Sequence, residues 1–266
     1  MSRSLTVDVH RCGLIGPGLP DWTAAMAVLR GDRDYQPAPM AKPIASQLPS
    51  RERRRHTFAI ALAVSTAMQA ARLDDQSEIP SVFACSGGDT EVIDRICNAL
   101  VQPGHPVSPQ QFINSVHNAP AGHWSIAKRN GAPTTSLSAY DATFAAGLLE
   151  AAVQIQFGRP MILLVAYDAP APMPIWPFRP LIAPFATALM LTAPDYGGEP
   201  TAQLDLTLRP NLDETTLDQP ELERLRQGNP AARSLPLLQA LATRQSTGIA
   251  LAYLASNALS VRVTPC

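Results

Sequence analysis

"GAPTTSLSAYDATFAAGLLEAAVQIQFGRPMILLVAYDA", residues 131–169, decides the fold. "TTSLSA" (134–139) reads as a strand. A tight turn follows, then a helix rich in small residues that runs to Phe157. "RPMILLVAYDA" (159–169) is an uninterrupted apolar run, the pattern of a strand buried on both faces. Strand, turn and helix in this order form an elbow that lifts one side chain clear of the backbone, as in enzymes that hold an acyl group on Cys or Ser. Here the turn offers Asp141 and Thr143, and no cysteine.

Working outward, the chain alternates strands and helices up to about residue 169 and is dominated by strands afterwards. "LTVDVHRCGLI" (5–15) predicts a first strand, and "LPDWTAAMAVLRGD" a short helix opened by Pro20 and Asp21. Ser50 is expected to cap one long helix over "RERRRHTFAIALAVSTAMQAARLDD", with Phe58, Ala61, Leu62, Ser65, Met68, Gln69 and Arg72 on one side. "PSVFACSGG" (80–88) is a short strand stopped by glycines, and Asp89 caps the helix after it. Residues 105–133 are a loop–helix passage. Beyond the proline loop "PAPMPIWPFRP", strands are expected at "FATALMLTA", "AQLDLTLRP", "GIALAYLA" and "ALSVRVTP", with a helix at "PAARSLPLLQALATR". The class is α/β, helices packed on a mixed sheet.

Composition narrows the function classes. With 46% hydrophobic and 16% charged residues, the 266-residue chain can bury a sizeable core. A net charge of −1 offers no basic surplus for nucleic acid. Cys12, Cys85, Cys97 and Cys266 show no metal-type spacing, so no metal or cofactor is expected, and the thiols are expected to be reduced and mostly buried. No secretory apolar region and no membrane-length apolar run is present, so the expected location is cytoplasmic.

Four stretches carry a resemblance: "RERRRHTFAIALAVSTAMQAA", "SPQQFINSVHNAPAGHWSIA", "GAPTTSLSAYDATFAAGLLEAA" and "FGRPMILLVAYD". They resemble a β-ketoacyl synthase of the thiolase fold, and more narrowly the short chain-length-factor type of aryl polyene and related pigment pathways. The resemblance implies one β-ketoacyl-synthase-like domain over 1–266, with an N-terminal half of about 1–170 and a reduced C-terminal half of about 171–266. Counting from Ala121-Gly122-His123 and from Gly158-Arg159-Pro160 puts Asp141 where that family carries its nucleophilic Cys. A carboxylate is a poor nucleophile toward a thioester. The family also needs histidines from its second half. The five here are His10, His56, His105, His117 and His123, and its Gly-His position reads Gly228-Asn229.

The resemblance therefore implies a subunit without condensing activity of its own. It would pair with an active ketosynthase in polyketide, aryl polyene or fatty-acid-type chain elongation, and meet an acyl carrier protein through that complex. "TTSLSA" would be the dimer strand. Phe112, His117, Asn118, Tyr140, Asp141, Thr143 and Phe144 would lie at the acyl tunnel or subunit interface, with no catalytic residue among them.

Other readings of the same residues stay open at this level. Asp141 is a helix N-cap, or a guide for a malonyl or carrier-bound chain. Cys85 is a buried strand-end thiol, or the nucleophile of a stand-alone acyl hydrolase or acyltransferase. His117 and His123 bond buried backbone near an interface, or join Ser115 or Ser125 and Asp141 in a triad. "SGGDTE" lacks the Lys of a phosphate-binding loop. The arginines of "RERRRH" form a solvated helix start, or meet a phosphopantetheine phosphate or an acidic carrier protein. A purely structural homodimer is the third class.

Overall fold

The computed structural model describes residues 4–45, 48–71 and 78–266. One eight-stranded sheet organises them, made of β1 (Leu5–Ile15), β2 (Ser81–Ala84), β3 (Thr134–Leu137), β4 (Met161–Asp168), β5 (Phe185–Thr192), β6 (Ala202–Pro210), β7 (Thr247–Leu254) and β8 (Asn257–Pro265). Their order across the sheet is β3-β2-β4-β5-β1-β6-β8-β7. The pairs β3–β2 and β2–β4 are parallel, and the remaining neighbours are antiparallel. The sheet is mixed, as expected, and every strand expected from the sequence is present. β4 and β5 are buried along their whole length, which is why they read as unbroken apolar runs.

Helices cover both faces. α3 (Phe58–Ala70) lies across β1, β4 and β5 on one side. α7 (Thr143–Gln156) lies across β1, β2 and β4 on the other. A Cβ on Gly147 would stand 2.9 Å from the Cβ of Ala84, so glycine lets α7 settle closely onto the sheet directly after the elbow. α1 (Trp22–Leu29) packs against α9 (Leu235–Thr243) beside that same face. Each face buries its own apolar cluster.

Local chemistry sets the helix ends. Asp21 accepts from the Ala24 amide and Asp89 from the Val92 amide, so both expected caps are present. The long helix expected after Ser50 is broken. α2 (Ser50–Arg53) is a single turn with Ser50 inside it, and α3 starts afresh at Thr57, whose hydroxyl accepts from the Ile60 amide. A side-chain cap at Thr57 competes with helix continuation. The carbonyls freed at the break are taken up by the Lys42 ammonium, which donates to His56 O, and by Asn114 Nδ2, 2.9 Å from Arg55 O. Arg72, placed on the apolar side of that helix, lies outside the described residues.

The passage before β3 folds as α4 (Thr90–Leu100), α5 (Pro109–Asn114) and α6 (Ala119–Lys128). The second half adds α8 (Pro220–Gly228), a helix with Glu221 and Glu223 in its first turn and Arg226 in its last, for which the sequence reading had no element. Cys12 and Cys85 are buried, whereas Cys97 and Cys266 are exposed, so the thiols are not mostly buried. Among the described residues no helix is long and apolar enough to cross a membrane.

Candidate functional site

The elbow sits where β3 ends, at one edge of the sheet. Tyr140–Ala142 forms one 3-10 turn, and Tyr140 has φ +53°, an uncommon value for a residue with a Cβ. Thr143 holds the turn. Its buried hydroxyl donates to Tyr140 O at 2.6 Å and accepts from the Ala139 amide at 3.1 Å.

Asp141 does not cap α7. The cap residue is Ala142, with no side-chain bond to the helix. The carboxylate turns away because arginines from the second half claim it. Arg179, in the proline loop after β4, donates to Asp141 Oδ1 at 2.8 Å. The same guanidinium lies 3.7 Å from the centre of the Tyr140 ring, so one arginine clamps both residues of the turn. Arg233 approaches Asp141 Oδ2 at 3.8 Å and binds both oxygens of Glu214. Glu214 accepts from Arg226, which also holds Glu223 through two 2.7 Å bonds. The Arg226 guanidinium holds the Glu223 carboxyl down at about 2. Charges of alternating sign thus run from α8 to Asp141 at the elbow.

A second polar centre occupies the C-terminal ends of β2 and β4. Asp168 is 1% exposed, and its Oδ1 accepts from the Ser86 amide (2.8 Å) and the Ser86 hydroxyl (2.7 Å). Its Oδ2 has no partner among the described residues. Burial pushes the Asp168 carboxyl up to about 6, against the pull of the two Ser86 bonds. Cys85 Sγ lies 3.5 Å from the same oxygen. Burial, and then the Asp168 charge, raise the Cys85 thiol well above its ordinary range. Such a thiol keeps its proton and is a poor nucleophile.

The remaining candidates are dispersed. His117 Nε2 lies 3.0 Å from Cys85 O, a bond to backbone. His123 Nε2 lies 3.1 Å from Asn114 Oδ1, and its ring packs edge-on against His56. Burial, followed by the neighbouring His123 and Lys42, lowers His56 to about 4. Ser115 donates to Phe112 O within its own helix, and Asp141 is held by Arg179, so the Ser–His–Asp triad does not form. Asn118 precedes α6 without capping it through its side chain. Phe112 (67%) and Tyr140 (63%) are exposed, but Phe144 (1%) belongs to the core beneath α7. Asn229, which the resemblance sets at the family's Gly-His position, is wholly buried and fully used: Nδ2 donates to Asp168 O and Ala183 O, and Oδ1 accepts from the Ala231 and Ala232 amides. Ser86, Asp168, Arg179 and Arg233 were missed as site residues. The "YDA" at the end of β4 was the one available signal, a carboxylate closing an apolar strand.

Solved structures share this architecture. One chain of the complex of a ketosynthase with its chain length factor from Xenorhabdus doucetiae is 23% identical, with a TM-score of 0.73 over 97% of this chain and 99% of that one. A chain from a type II polyketide synthase acyl-carrier protein in complex with its ketosynthase is 14% identical, with a TM-score of 0.76 over 98% and 99%. A β-ketoacyl synthase from Burkholderia phymatum is 16% identical, with a TM-score of 0.60 over 92% of this chain but 71% of that one. These likenesses establish the thiolase-like fold. No curated protein sequence matches the chain. The family model for the β-ketoacyl synthase N-terminal domain matches residues 28–253, most of the chain, and the protein belongs to that family.

Proposed function

We propose that the chain is a non-catalytic, chain-length-factor-like subunit that pairs with an active β-ketoacyl synthase in polyketide, aryl polyene or fatty-acid-type elongation. The observation that carries this reading is the ion pair between Asp141 and Arg179. The nucleophile's place holds a carboxylate, and a guanidinium holds that carboxylate. Asn229, at the second-half catalytic position, has no bonding capacity left for substrate. The stand-alone hydrolase or transferase based on Cys85 fits less well, because that thiol is buried and keeps its proton.

Pairing has a physical basis at the β3 edge. β3 is a terminal strand of the sheet, bonded to β2 alone. Ser81 and Cys85 donate to Pro133 O and Leu137 O, so by alternation the Ser136 N–H points away from β2. Exposed Phe112 and Ile113 on α5, Val116 in the α5–α6 turn, Ile126 on α6 and Tyr140 at the elbow are the apolar side chains a subunit contact would cover. The carrier protein would then serve the complex through the partner's active site.

Co-expression with the cognate ketosynthase, followed by size-exclusion chromatography, tests the reading. A stable heterodimer is expected, with an interface above about 1,000 Å². Ser136→Pro is expected to abolish it while leaving the subunit folded, since an edge strand tolerates proline where its N–H faces outward. A wild-type chain that stays apart from the ketosynthase overturns the proposal. Within the heterodimer, Phe112→Ala and Tyr140→Ala are expected to lengthen the products. Unchanged product length with an intact heterodimer removes the tunnel role from both residues.

A further inference from the structure

A cleft lined by neither β3 nor the elbow carries chemistry that pairing does not use. β6 pairs with β1 only along Leu5–Val9. At Val9/Arg11 the register of β1 against β5 shifts, and His10 is the extra residue. Beyond that bulge β6 no longer pairs with β1, and a cleft of about 300 Å³ opens between β1, α1 and α9. Arg11, Arg30 and Arg244 line it together with Trp22, Gln69 and Thr201, and no carboxylate does.

The arginines differ in how they are held. Arg30 is fixed by a 2.6 Å bond from its Nε to Ala242 O, which joins the ends of α1 and α9. Arg244 follows α9 in the left-handed conformation, φ +51°, and is exposed. Arg11 is the anomaly. Its Nη1 is shielded from solvent and has no acceptor among the described residues. Arg11 also lines the adjoining cleft, where Glu199 lies, yet the two form no ion pair. Burying part of a guanidinium with no acceptor is costly, and such groups normally meet a partner, a water or an ion.

We propose that this cleft is an anion site for a small phosphate-type ligand, an inorganic phosphate or pyrophosphate group or a phosphate ester of similar size. Three guanidinium groups without a carboxylate supply the charge. The planar donors of Arg11 and Arg244 match phosphate oxygens. The Thr201 hydroxyl adds a neutral polar group, and Trp22 forms an apolar wall for the part of an ester beyond its phosphate. The volume lies at the lower end of small-ligand pockets and exceeds what one bare ion fills. The proposal is independent of the pairing proposal, because it involves neither β3 nor the elbow.

The test is titration of the purified protein with sodium pyrophosphate, and separately with inorganic phosphate, at constant ionic strength. Thermal midpoint and tryptophan fluorescence are followed together. A saturable rise in midpoint with a matching fluorescence change is expected. Arg11→Gln should raise the apparent Kd at least about tenfold, the loss of one charge-assisted bond. Arg244→Ser, at an exposed position that leaves folding intact, should raise it about three- to tenfold. Trp22→Phe should silence the fluorescence change and keep the midpoint rise. Arg209→Gln, an exposed arginine on β6, should leave both unchanged. Absence of any saturable response in the wild type overturns the proposal. So does a response that Arg11→Gln and Arg244→Ser leave intact, because the anion then binds elsewhere.

Discussion

Asp141 and Asp168 both stand at the C-terminal end of the parallel part of the sheet, and their surroundings give them opposite characters. Asp141 is about half exposed, and its partner is an arginine that brings a full opposite charge. Asp168 is buried, and its direct partners are the hydroxyl and amide of Ser86 and the Cys85 thiol, with the Arg179 charge a smaller influence. Water and a guanidinium together stabilise a carboxylate charge easily. These partners do not offset complete burial, and the Asp168 carboxyl rises to about 6. The comparison teaches that the half-exposed aspartate at the elbow is tied to the second half by an ion pair, whereas the interior one beside Cys85 has its carboxyl pushed up by burial.

The sharpest way to break this comparison is Asp168→Ala. It strands the Ser86 amide and hydroxyl in the interior, and each orphaned group costs about 1–3 kcal/mol. A total loss of about 2–5 kcal/mol is expected from urea unfolding. A loss below about 1 kcal/mol would mean that water reaches the site and that Asp168 resembles Asp141 after all.

Asp168→Asn separates the charge from the hydrogen bonds. The amide oxygen still accepts from Ser86, and the buried charge is gone. At pH 7 the variant is expected to match or exceed the wild type, by at most about 3 kcal/mol. The pH profile carries more information. In the wild type, Asp168 has a folded pKa of about 6 against a reference value of 3.8. As pH falls through 6 the native state takes up a proton that the unfolded chain does not, so this site adds stability between pH 6 and 4. His56 works in the other direction. Its folded value of about 4 against 6.5 means that the unfolded chain protonates first, and stability falls from pH 6.5 to 4. The two effects oppose each other in the wild type. Asp168→Asn should uncover the histidine effect as a steady loss of stability below pH 6.5. A variant profile identical to the wild type's would show that Asp168 does not titrate in this range.

Asp141→Ala should cost much less. With the carboxylate about half exposed, loss of the Arg179 pair is expected to cost about 1 kcal/mol or less. A cost above about 2 kcal/mol would place Asp141 in the same structural class as Asp168. The smallest effect belongs to Asp141→Cys. It puts a thiol where the proposed function sets the family's nucleophile but supplies no second-half histidine, and Asn229 stays fully occupied. No β-ketoacyl product is expected from the purified variant with acyl and malonyl carriers. Product formation would show that the lost nucleophile was the only missing part.

The same contrast explains which elements the sequence disclosed. β4 and β5 could be read directly because both their faces are buried, and burial writes a continuous apolar run. The caps of α1 and α4 could be read because a cap is a contact between residues three apart. The break between α2 and α3 was missed because "RERRRHTFAIALAVS" satisfies a helical period throughout. The break is held by Lys42 and Asn114, which come from other segments. α8 was missed because its sequence is polar and proline-led, with only Leu222 and Leu225 marking the apolar side, and because its buried Arg226 is satisfied in part by Glu214 from outside the helix.

By itself the sequence determined the eight strands, the position of the elbow, an aspartate instead of a cysteine at residue 141, and the absence of a histidine beyond residue 123. Those are matters of residue identity and of contacts within a few positions, which the linear order preserves. Only the tertiary structure decided that Asp141 faces Arg179 instead of capping α7, that Phe144 is core while Phe112 and Tyr140 are exposed, and that burial pushes the Asp168 carboxyl up to about 6. The physical reason is that charge state and exposure depend on which distant side chains and how much water surround a group. Arg179, Arg233 and Ser86 reach these sites only when the β-strands are brought side by side.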